Sequence, residues 1–313
     1  MRRILSEKTI GIGIHIWNGQ RTIKTTLNSL INQKYKDIQI FILDNRSNDK
    51  TVSIIKKIQK KFKRIRLIID DVKRDPASAQ RILLLKYLKN YKYCMLIGDD
   101  DIFHKDYIKD VFFKMIKEQT KLGYSSFKLI DFNNKLWSVK DNPIYDTQKF
   151  NRYYFLNYYF LNLIKFVIYR NLVPIIFGIF ETKSLIKSFK HYKIYDESLV
   201  NFDNLMLISF LAENDISYEK DALFFYRKKD RIEAAIIRNQ KGIYQFRKVS
   251  TSLFLIFKYQ LTFSIKVLGI LHKSKKINII HKLILYILVG LTYFQKCLFF
   301  ITKKIFNSNF KYK

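Results

Sequence analysis

Cysteine and histidine are scarce in this chain. Its 313 residues include two cysteines, Cys94 and Cys297, which are far apart and each lie inside an apolar run. This pattern excludes a disulfide framework and a cysteine-based zinc site, and it predicts a reducing compartment. The five histidines show no paired spacing of the kind found in zinc sites, so we interpret them as surface or satisfied core residues.

Two phosphate-binding sequence patterns are absent. The stretch GIGIHIWNG has glycines near a predicted strand but lacks G-x-G-x-x-G spacing, and the chain contains no G-x-x-x-x-G-K-[ST]. The first absence argues against a dinucleotide-binding fold, and the second excludes a P-loop nucleotidase. A secretory signal is not expected, because Glu7 and Lys8 interrupt the N-terminal segment and no small-residue cleavage site follows.

Acidic residues are heavily outnumbered by basic ones. The chain has 58 Lys and Arg against 26 Asp and Glu, a formal net charge of +32. This charge requires an anionic partner, which is a phosphate-bearing substrate, a nucleic acid or a membrane surface. With 48% hydrophobic and 16% aromatic residues, the chain can bury a large core, which excludes a disordered tail.

The first hundred residues alternate between strand-like and helix-like patterns. Strands are predicted at Thr9–Trp17, Ile38–Asp44, Ile65–Asp70 and Tyr93–Asp99, and helices at Arg21–Gln33, Lys50–Phe62 and Ala77–Leu88. Strands that alternate with helices of this length are typical of a parallel α/β sheet. The runs from Ile38 to Leu43 and from Tyr93 to Ile97 are apolar on both faces, as expected for strands buried between two layers of helices.

Polar residues follow each predicted strand. In a parallel α/β sheet the ligand lies beyond the carboxyl ends of the strands, so these residues are candidate binding groups. The members of this group are Asn18, Asp44, Asp49, Asp70, Asp99, Asp100 and Asp101. Two carboxylates about 4 Å apart repel by roughly 4 kcal/mol at an effective dielectric near 20. The three consecutive aspartates are therefore either exposed to water or paired with a cation.

Three of these strand ends resemble motifs of the family 2 glycosyltransferases of the GT-A fold. In that family the strands end in P-x-Y-N, V-D-D-x-S-x-D and L-D-x-D-D. The corresponding stretches here are HIWNG (His15 to Gly19), LDNRSND (Leu43 to Asp49) and LIGDDD (Leu96 to Asp101). The resemblance is to enzymes of bacterial surface polysaccharide synthesis. It implies an α/β, Rossmann-like GT-A domain with a mixed, mostly parallel sheet and helices on both faces.

The resemblance also implies roles at the nucleotide end of a donor. Asp44 stands where the family's carboxylate hydrogen-bonds the nucleotide base. Asn18 lies in the loop that packs under the nucleoside. Arg81 falls within one residue of an arginine that lies near the nucleotide.

Further roles follow from the same resemblance. Asp100 matches a carboxylate that ligates a divalent cation, Mg²⁺ or Mn²⁺, between the two donor phosphates, and Asp101 joins it in the metal site. Asp99 contacts the ribose or a metal-bound water. Asp203, in NFDNLMLISFLAEN, falls where the catalytic base of the family lies. A looser likeness of this later segment extends to Arg227, which ends a closing strand in Y-R.

The implied chemistry suits these residue types. Mg²⁺ and Mn²⁺ prefer oxygen ligands, usually one or two carboxylates with phosphate oxygens and waters. The bound cation is a Lewis acid that stabilises a diphosphate leaving group. A carboxylate on the opposite side of the anomeric carbon removes the proton of the acceptor hydroxyl. Displacement from that side inverts the anomeric configuration.

Two departures from the family pattern leave other interpretations open. Gly98 occupies the first aspartate position of L-D-x-D-D, and Phe202 replaces the glutamate before the base. Taken alone, the triple aspartate is better interpreted as a solvated loop that caps a helix beginning near His104, and it is the joint match of the three motifs that favours metal binding. Asp44 is equally a turn residue and Asp203 a helix N-cap.

The composition changes near residue 233. No Asp or Glu follows Glu233, whereas Lys and Arg continue to the end. We therefore predict a catalytic domain at 1–233 and a basic, apolar helical extension at 234–313, with helical patterns at Ser252–His272 and Ile277–Ile305. We expect these helices to lie in a membrane interface, with lysines toward anionic headgroups. A spanning or re-entrant helix at Leu283–Ile301 and a soluble appendage are the alternatives.

These observations predict an inverting, metal-dependent glycosyltransferase at the cytoplasmic face of a bacterial inner membrane. It would transfer a sugar from a nucleotide-diphosphate sugar to a glycan or lipid-linked acceptor of O-antigen, lipooligosaccharide or capsule. One alternative is a catalytically silent glycosyltransferase-like scaffold, because of Gly98 and Phe202. Another is a basic nucleic-acid-binding protein. A nucleic-acid-binding protein would need a recognisable binding module, which the sequence lacks. The clustered carboxylates would also repel a phosphate backbone, so no nucleic-acid partner is expected.

Overall fold

The computed structural model describes residues 8–136, 163, 164, 167, 173–189, 202–227 and 253–306. The chain forms two compact units. The first comprises Met1–Phe155, Val173–Ile194 and Asn214–Lys228, and the second comprises Leu156–Leu172, Tyr195–Glu213 and Lys229–Lys313. The boundary predicted at residue 233 stays a prediction.

The first unit is built on an eight-stranded sheet. Its strands are β1 (Ile10–Ile16), β2 (Ile38–Asp44), β3 (Ile65–Ile69), β4 (Tyr93–Ile97), β5 (Ile102–Phe103), β6 (Leu122–Ile130), β7 (Ile179–Glu181) and β8 (Ile216–Arg227), in the order β3-β2-β1-β4-β7-β6-β8-β5. The four strands from β3 to β4 are parallel to one another. Strand β7 is antiparallel to both of its neighbours, and β5 is antiparallel to β8. The predicted mixed, mostly parallel sheet is confirmed.

Helices connect the strands of this unit. In the described residues they are α1 (Ile23–Ile31), α2 (Thr51–Lys61), α3 (Pro76–Ile82), α4 (Tyr107–Lys117) and α5 (Thr182–Phe189). A wide π-helical turn at Leu83–Leu88 continues α3. Strands β2 and β4 are buried almost throughout, as expected from their apolar runs. The first four predicted strands and the helices between them are confirmed.

One predicted element begins later than expected. The helix expected near His104 begins at Tyr107, because β5 comes first. Phe103 of β5 pairs with Phe224 of β8, and the two rings stack with centroids 5.4 Å apart. The Phe103 ring is buried, so this short strand holds the end of the acidic loop against the sheet.

The second unit is helical in its described residues. Its helices are α6 (Phe202–Leu211), α7 (Leu253–Lys273) and α8 (Ile279–Phe306). The residues from Asn204 to Ala212 are buried. Helix α7 packs on both α6 and α8, and Ser274 Oγ donates a 2.6 Å hydrogen bond to the carbonyl of Ala212. The two helical patterns predicted in the basic extension are confirmed to within two residues at each end. By length and composition, Ile279–Phe299 is a candidate membrane span.

Candidate active site

The carboxyl ends of β3, β2, β1 and β4 lie at one edge of the sheet, because these strands are parallel. Ile16 at the end of β1 pairs with Asp44 at the end of β2, and Asp44 pairs with Ile69 at the end of β3. Strands β6 and β8 are parallel and end together at Ile130 and Arg227. Because β7 is antiparallel to both β4 and β6, the ends of β6 and β8 lie at this same edge.

Asn18 joins the loop after β1 to the loop after β2. Its φ of 52° is in the left-handed region, which Asn tolerates better than most residues. Its backbone N–H donates to Ser47 Oγ at 2.8 Å, and its side-chain Oδ1 accepts from the N–H of Asn48 at 3.0 Å. A further hydrogen bond joins the same two loops: the Gln20 N–H donates to Asp49 Oδ2 at 3.2 Å. Asn18 therefore lies at the predicted edge, where it fixes the shape of two loops.

Asp44 is buried, with only 1% of its surface exposed. Its Oδ2 accepts a 3.0 Å hydrogen bond from the N–H of Ser47. Its Oδ1 has no hydrogen-bond partner among the described residues. A buried acceptor without a donor costs about 1–3 kcal/mol. Asp44 Oδ1 is therefore available to accept a hydrogen bond from a bound ligand.

Asp70 follows β3, is buried, and forms an ion pair with the partly exposed Arg74. Arg74 donates to it from Nε at 2.6 Å and from a terminal guanidinium nitrogen at 3.2 Å. Burial acts to raise the pKa of Asp70, but hydrogen bonds from Arg74 and from the N–H of Val72 outweigh it and hold the pKa below its usual value. The backbone of Arg74 also exchanges two 2.7 Å hydrogen bonds with the side chain of Asn45. Asp70 is thus used to fix the loop after β3, a pairing that the sequence analysis missed.

A flat aromatic surface lies at the same edge. Trp17 follows β1 with its ring half-buried, and the Lys73 ammonium lies 4.2 Å from the ring centroid. Such a contact is a cation–π interaction.

Arg81 lies in the last turn of α3, half-buried, without a hydrogen bond or ion pair to another described residue.

Asp99 lies against the loop after β1. Thr26 Oγ1 of α1 donates a 3.0 Å hydrogen bond to its carbonyl. A Cβ atom placed on Gly19 would come within 2.2 Å of Asp99 Oδ2 and 2.6 Å of Ile16 Cδ1. The carboxylate of Asp99 can therefore occupy this position only because residue 19 has no side chain.

Asp100 and Asp101 direct oxygens toward one small space beside Gly98. A Cβ on Gly98 would lie 2.9 Å from Asp100 Oδ1 and 3.4 Å from Asp101 Oδ2. Asp101 is fully buried, and its Oδ2 has no hydrogen-bond partner among the described residues. Burial raises the pKa of Asp101 well above its ordinary value, and repulsion from Asp100 adds to the effect. The glycine at the family's first aspartate position leaves room for this convergence.

Arg227 holds the acidic loop in place from the end of β8. Its backbone N–H donates to Asp101 Oδ1 at 2.9 Å, and its Nε donates to the carbonyl of Asp100 at 2.6 Å. Its two terminal nitrogens donate to the carbonyl of Asp131 and, at 2.7 Å, to Asn134 Oδ1. Burial lowers its pKa, and the nearby carboxylates oppose that shift. The Y-R ending of the closing strand was the sequence signal for this residue, but it gave no role.

A second arginine, Arg21, lies over the same aromatic ring as Arg227, that of Phe132. The Arg227 guanidinium carbon lies 5.6 Å from the ring centroid, and that of Arg21 lies 4.7 Å from it. The two guanidinium groups are close enough that Arg21 contributes to lowering the pKa of Arg227. Positive charge is therefore concentrated next to the three aspartates.

Polar side chains on α1 and just after its end support the acidic loop. Ser29 Oγ accepts from the N–H of Phe103 at 3.2 Å. Gln33 is fully buried, donates to the carbonyl of His104 at 2.7 Å and accepts from the N–H of Ile108 at 3.0 Å. Thr26 and Ser29 are three residues apart on one face of α1, and Gln33 follows two residues after the helix ends at Ile31. That spacing is visible in the sequence and was overlooked.

The predicted base, Asp203, lies in the second unit. It occupies the first turn of α6, with a half-buried side chain. Burial raises the pKa of Asp203 to about 6. Its assignment as the base stays a prediction.

The donor set beside Gly98 fits a divalent cation. Among the described residues, no group of three or more His, Cys, Asp and Glu side chains is arranged to hold a metal ion. Mg²⁺ sites often use only one or two carboxylates, with phosphate oxygens and waters as the other ligands. Asp100 and Asp101 meet that requirement, and the unpartnered Oδ2 of Asp101 is the observation that favours the fit.

The sequence matches one protein family over more than half of its length. Residues 12–182 match the profile described as "Glycosyl transferase family 2". This chain therefore belongs to glycosyltransferase family 2, and the predicted family is confirmed.

Several characterised proteins are similar to parts of this chain. The dTDP-rhamnosyl transferase RfbG of Shigella flexneri is 35% identical over 97 residues, which is 30% of this chain and 34% of that protein. A GalNAc(5)-diNAcBac-PP-undecaprenol beta-1,3-glucosyltransferase of Campylobacter jejuni is 21% identical over 78% of this chain and 89% of its own length. The Escherichia coli glucosyltransferase WfaP, which is named for a diphosphoundecaprenol substrate, is 33% identical over 38% of this chain and 45% of its own length.

Solved structures share the fold. The crystal structure of S. aureus TarS 1-349 in complex with UDP-GlcNAc is 15% identical, with a TM-score of 0.63, and the match covers 92% of this chain and 73% of that one. The structure of TarS 1-349 alone has a TM-score of 0.62 and covers 97% of this chain. The predicted GT-A fold class is confirmed.

Proposed function

We propose that this chain is an inverting glycosyltransferase that uses a nucleotide-diphosphate sugar as donor. One observation carries the proposal. Asp101 is fully buried with an unpartnered Oδ2, beside Asp100 and at the sheet edge that also holds Asp44. A protein does not bury unpartnered carboxylate oxygens without a cost of about 1–3 kcal/mol each, so their convergence at this edge is best explained by a ligand.

The nucleotide end of the donor would lie over the loops after β1, β2 and β3. Asp44 Oδ1 would accept a hydrogen bond from the base, which satisfies the atom left without a donor. The half-buried Trp17, with the Lys73 ammonium over its ring, would lie beside the nucleoside. Asn18 would shape the loop under the nucleoside, and Arg81 would lie near the nucleotide. The names of RfbG and of the TarS complex, with dTDP and UDP donors, support a pyrimidine nucleotide.

The diphosphate would lie against the acidic loop. Asp100 and Asp101 would hold Mg²⁺ or Mn²⁺ with the oxygens that converge beside Gly98, and Asp99 would contact the ribose or a metal-bound water. The cation, when bound, stabilises the negative charge of the leaving diphosphate as a Lewis acid. Arg227 would keep Asp100 and Asp101 in register for this task through its contacts with both.

Asp203 would be the general base. Its pKa of about 6 lies near neutral pH, where a base is both ionised and able to take a proton. It would remove the proton of the acceptor hydroxyl while that oxygen attacks the anomeric carbon opposite the leaving diphosphate. The anomeric configuration would then invert.

The acceptor would be a glycan or lipid-linked glycan of bacterial surface polysaccharide, such as O-antigen, lipooligosaccharide or capsule. The undecaprenol-linked substrates in the names of the Campylobacter and Escherichia relatives support a lipid-linked acceptor. Such acceptors are anchored in a membrane, and their donors are soluble. We therefore place the enzyme at the cytoplasmic face of the inner membrane, where both are present.

A donor panel tests this proposal. Purified protein is incubated with UDP-, dTDP- and GDP-sugars, with and without Mn²⁺, and release of the nucleoside diphosphate is measured. We expect turnover of one donor that is lost on chelation and in Asp100→Asn, while the control Asp221→Asn, an exposed aspartate on β8, keeps it. Turnover that is unaffected by Asp100→Asn would exclude the metal assignment. Tight binding of a donor without turnover, even with acceptor present, would identify a silent scaffold instead.

A further inference from the structure

The outer face of α8 carries a continuous apolar stripe. Six large side chains on this helix are between 55% and 65% exposed: Ile280, Leu283, Ile287, Leu291, Phe294 and Leu298. At 100° per residue they fall within an arc of about 80°. They extend over five helical turns. Soluble proteins rarely expose contiguous apolar patches of this kind unless the patch contacts a partner.

The opposite face of α8 is packed. Leu285, Val289 and Thr292 are buried, and the helix packs on α7. Lys282 reaches back along this side and donates a 2.8 Å hydrogen bond to the carbonyl of His272. Helix α8 is therefore covered by protein on one side and left uncovered on the other.

Helix α7 also exposes apolar side chains, but a lysine interrupts them. Phe254, Leu261 and Ile265 are exposed, and Lys258 is exposed within the same arc of the helix. Lys258 lies about one turn from the start of α7, and exposed lysines at 273, 275 and 276 follow at its other end. A long lysine side chain can reach headgroups from an interfacial helix. On a helix that crosses a bilayer, Lys258 would face hydrocarbon.

The positive charge of residues 234–313 indicates which kind of partner covers the apolar stripe of α8. Between Ala234 and Lys313 there are fifteen Lys and Arg residues and no Asp or Glu. A second copy of this chain would bring two such segments together, and their like charges would repel. An anionic lipid surface offers both hydrocarbon for the stripe and negative charge for the lysines, at about 1 kcal/mol for each basic residue near it.

We propose that α8 lies in the plane of an anionic bilayer, with its apolar stripe in the acyl boundary and the surrounding lysines among the headgroups. An in-plane orientation explains why one side of α8 is apolar and exposed while its buried side chains lie on the other side. The inference depends on the two helices and not on the reaction proposed above.

Vesicle binding tests the surface. The full chain is mixed with vesicles of equal parts phosphatidylglycerol and phosphatidylcholine, or of phosphatidylcholine alone, and sedimented. We expect binding to the anionic vesicles that weakens as salt is raised, and at least tenfold weaker binding for the double variant Ile287→Glu/Leu291→Glu. The matched control is Ile116→Glu, an exposed isoleucine on α4, which should bind within twofold of the unchanged protein. Undiminished binding by the double variant would overturn the proposal. A dimer that the double variant converts to a monomer, with vesicle binding unchanged, would also overturn it.

Depth measurements separate the in-plane helix from a spanning one, which the length and composition of Ile279–Phe299 also permit. Tryptophan is placed in turn at Ile280, Leu291 and Leu298, and its quenching by lipids brominated at different depths is compared with that of the parent protein. An in-plane helix gives one shallow depth at all three positions. A depth that is greatest at position 291 and shallow at the two ends would show that α8 crosses the bilayer and would refute the orientation.

The two proposals fail separately. Donor turnover in the absence of vesicles should be the same in Ile287→Glu/Leu291→Glu and in the unchanged protein. Vesicle binding should be the same in Asp100→Asn and in the unchanged protein. An unchanged protein that turns over donor but does not bind anionic vesicles refutes the membrane proposal alone, and one that binds vesicles but turns over no donor refutes the proposed reaction alone.

Discussion

The backbone N–H of Arg227 donates a 2.9 Å hydrogen bond to Oδ1 of Asp101, across 126 residues of sequence. This contact joins the end of β8 to the acidic loop after β4. The guanidinium group of the same arginine reaches the carbonyls of Asp100 and Asp131. One side chain therefore holds two loops at the edge of the sheet where we place the diphosphate.

Replacement of Arg227 should weaken both the fold and the reaction. Arg227→Ala leaves three acceptors without their donor, so we expect the free energy of unfolding to fall by about 2–4 kcal/mol. Donor turnover should fall at least 100-fold. Arg227→Lys keeps the charge but cannot reach all three acceptors, so it should recover stability only in part. Urea unfolding and donor turnover measure the two effects. Lys63→Ala, at an exposed lysine before β3, is the control and should change neither.

The two carboxylates beside Gly98 should be needed for activity and not for folding. We expect Asp100→Asn and Asp101→Asn each to reduce donor turnover more than 100-fold. Calorimetry should show loss of Mn²⁺ uptake in the presence of donor. Full activity in either variant would contradict its assignment to the metal site.

Asp101→Asn should also change the pH dependence of stability. The pKa of Asp101 is raised in the folded protein, so the unfolded chain loses this proton at lower pH than the folded one. Stability therefore falls as the pH rises above the ordinary aspartate value. Asparagine does not titrate and still accepts from the Arg227 N–H, so the variant should be the more stable protein at pH 8. Thermal unfolding at pH 4 and pH 8 measures the difference.

Gly19 should be sensitive to the smallest side chain. A Cβ there would overlap Asp99 Oδ2, so Gly19→Ala should displace that carboxylate and raise the KM for donor about tenfold or more. Gly269→Ala is the matched control, because a Cβ on that helical glycine meets nothing within 4 Å. If both alanine variants bind donor equally well, Asp99 has no part in donor binding.

The pH profile should report the base. With the pKa of Asp203 near 6, its ionised fraction falls about tenfold for each pH unit below that value, and kcat/KM should fall with it. Asp203→Asn should lose about 100- to 10,000-fold in turnover, the range typical of a general base. Asp215→Asn, at an exposed aspartate before β8, should keep both rate and profile. A profile that is unchanged in a slowed Asp203→Asn variant would assign the pKa to another group.

The sequence predicted the first half of the fold well, because each of its strands and helices is encoded locally. Apolar runs such as Ile38–Asp44 have the length and composition of buried strands, and the helices between them follow the helical period. The edge where Asp44 and the triple aspartate lie then follows from strand direction alone. The short strand before α4 was missed because β5 exists only through its pairing with β8.

The contacts that fix the site were harder to predict. The pairs Arg227 with Asp101 and Gln33 with His104 join residues 126 and 71 positions apart, and no local pattern specifies them. Asp70 is similar to the other aspartates of the edge in sequence, but its ion pair with Arg74 assigns it to the loop itself. Sequence reasoning identified which residues lie at the edge, and the tertiary contacts separated those held by protein from those left for a ligand.

Thr26 and Ser29 of α1 and the guanidinium of Arg227 at the end of β8 all hold the peptide from Asp99 to Phe103 through hydrogen bonds. Its conformation is therefore settled before any donor arrives. Little entropy remains to be lost when the sugar nucleotide docks, so more of the intrinsic interaction appears as affinity. Loss of the contacts from α1 or from Arg227 would slow donor binding and lower donor affinity even if every ligand-contacting atom were unchanged.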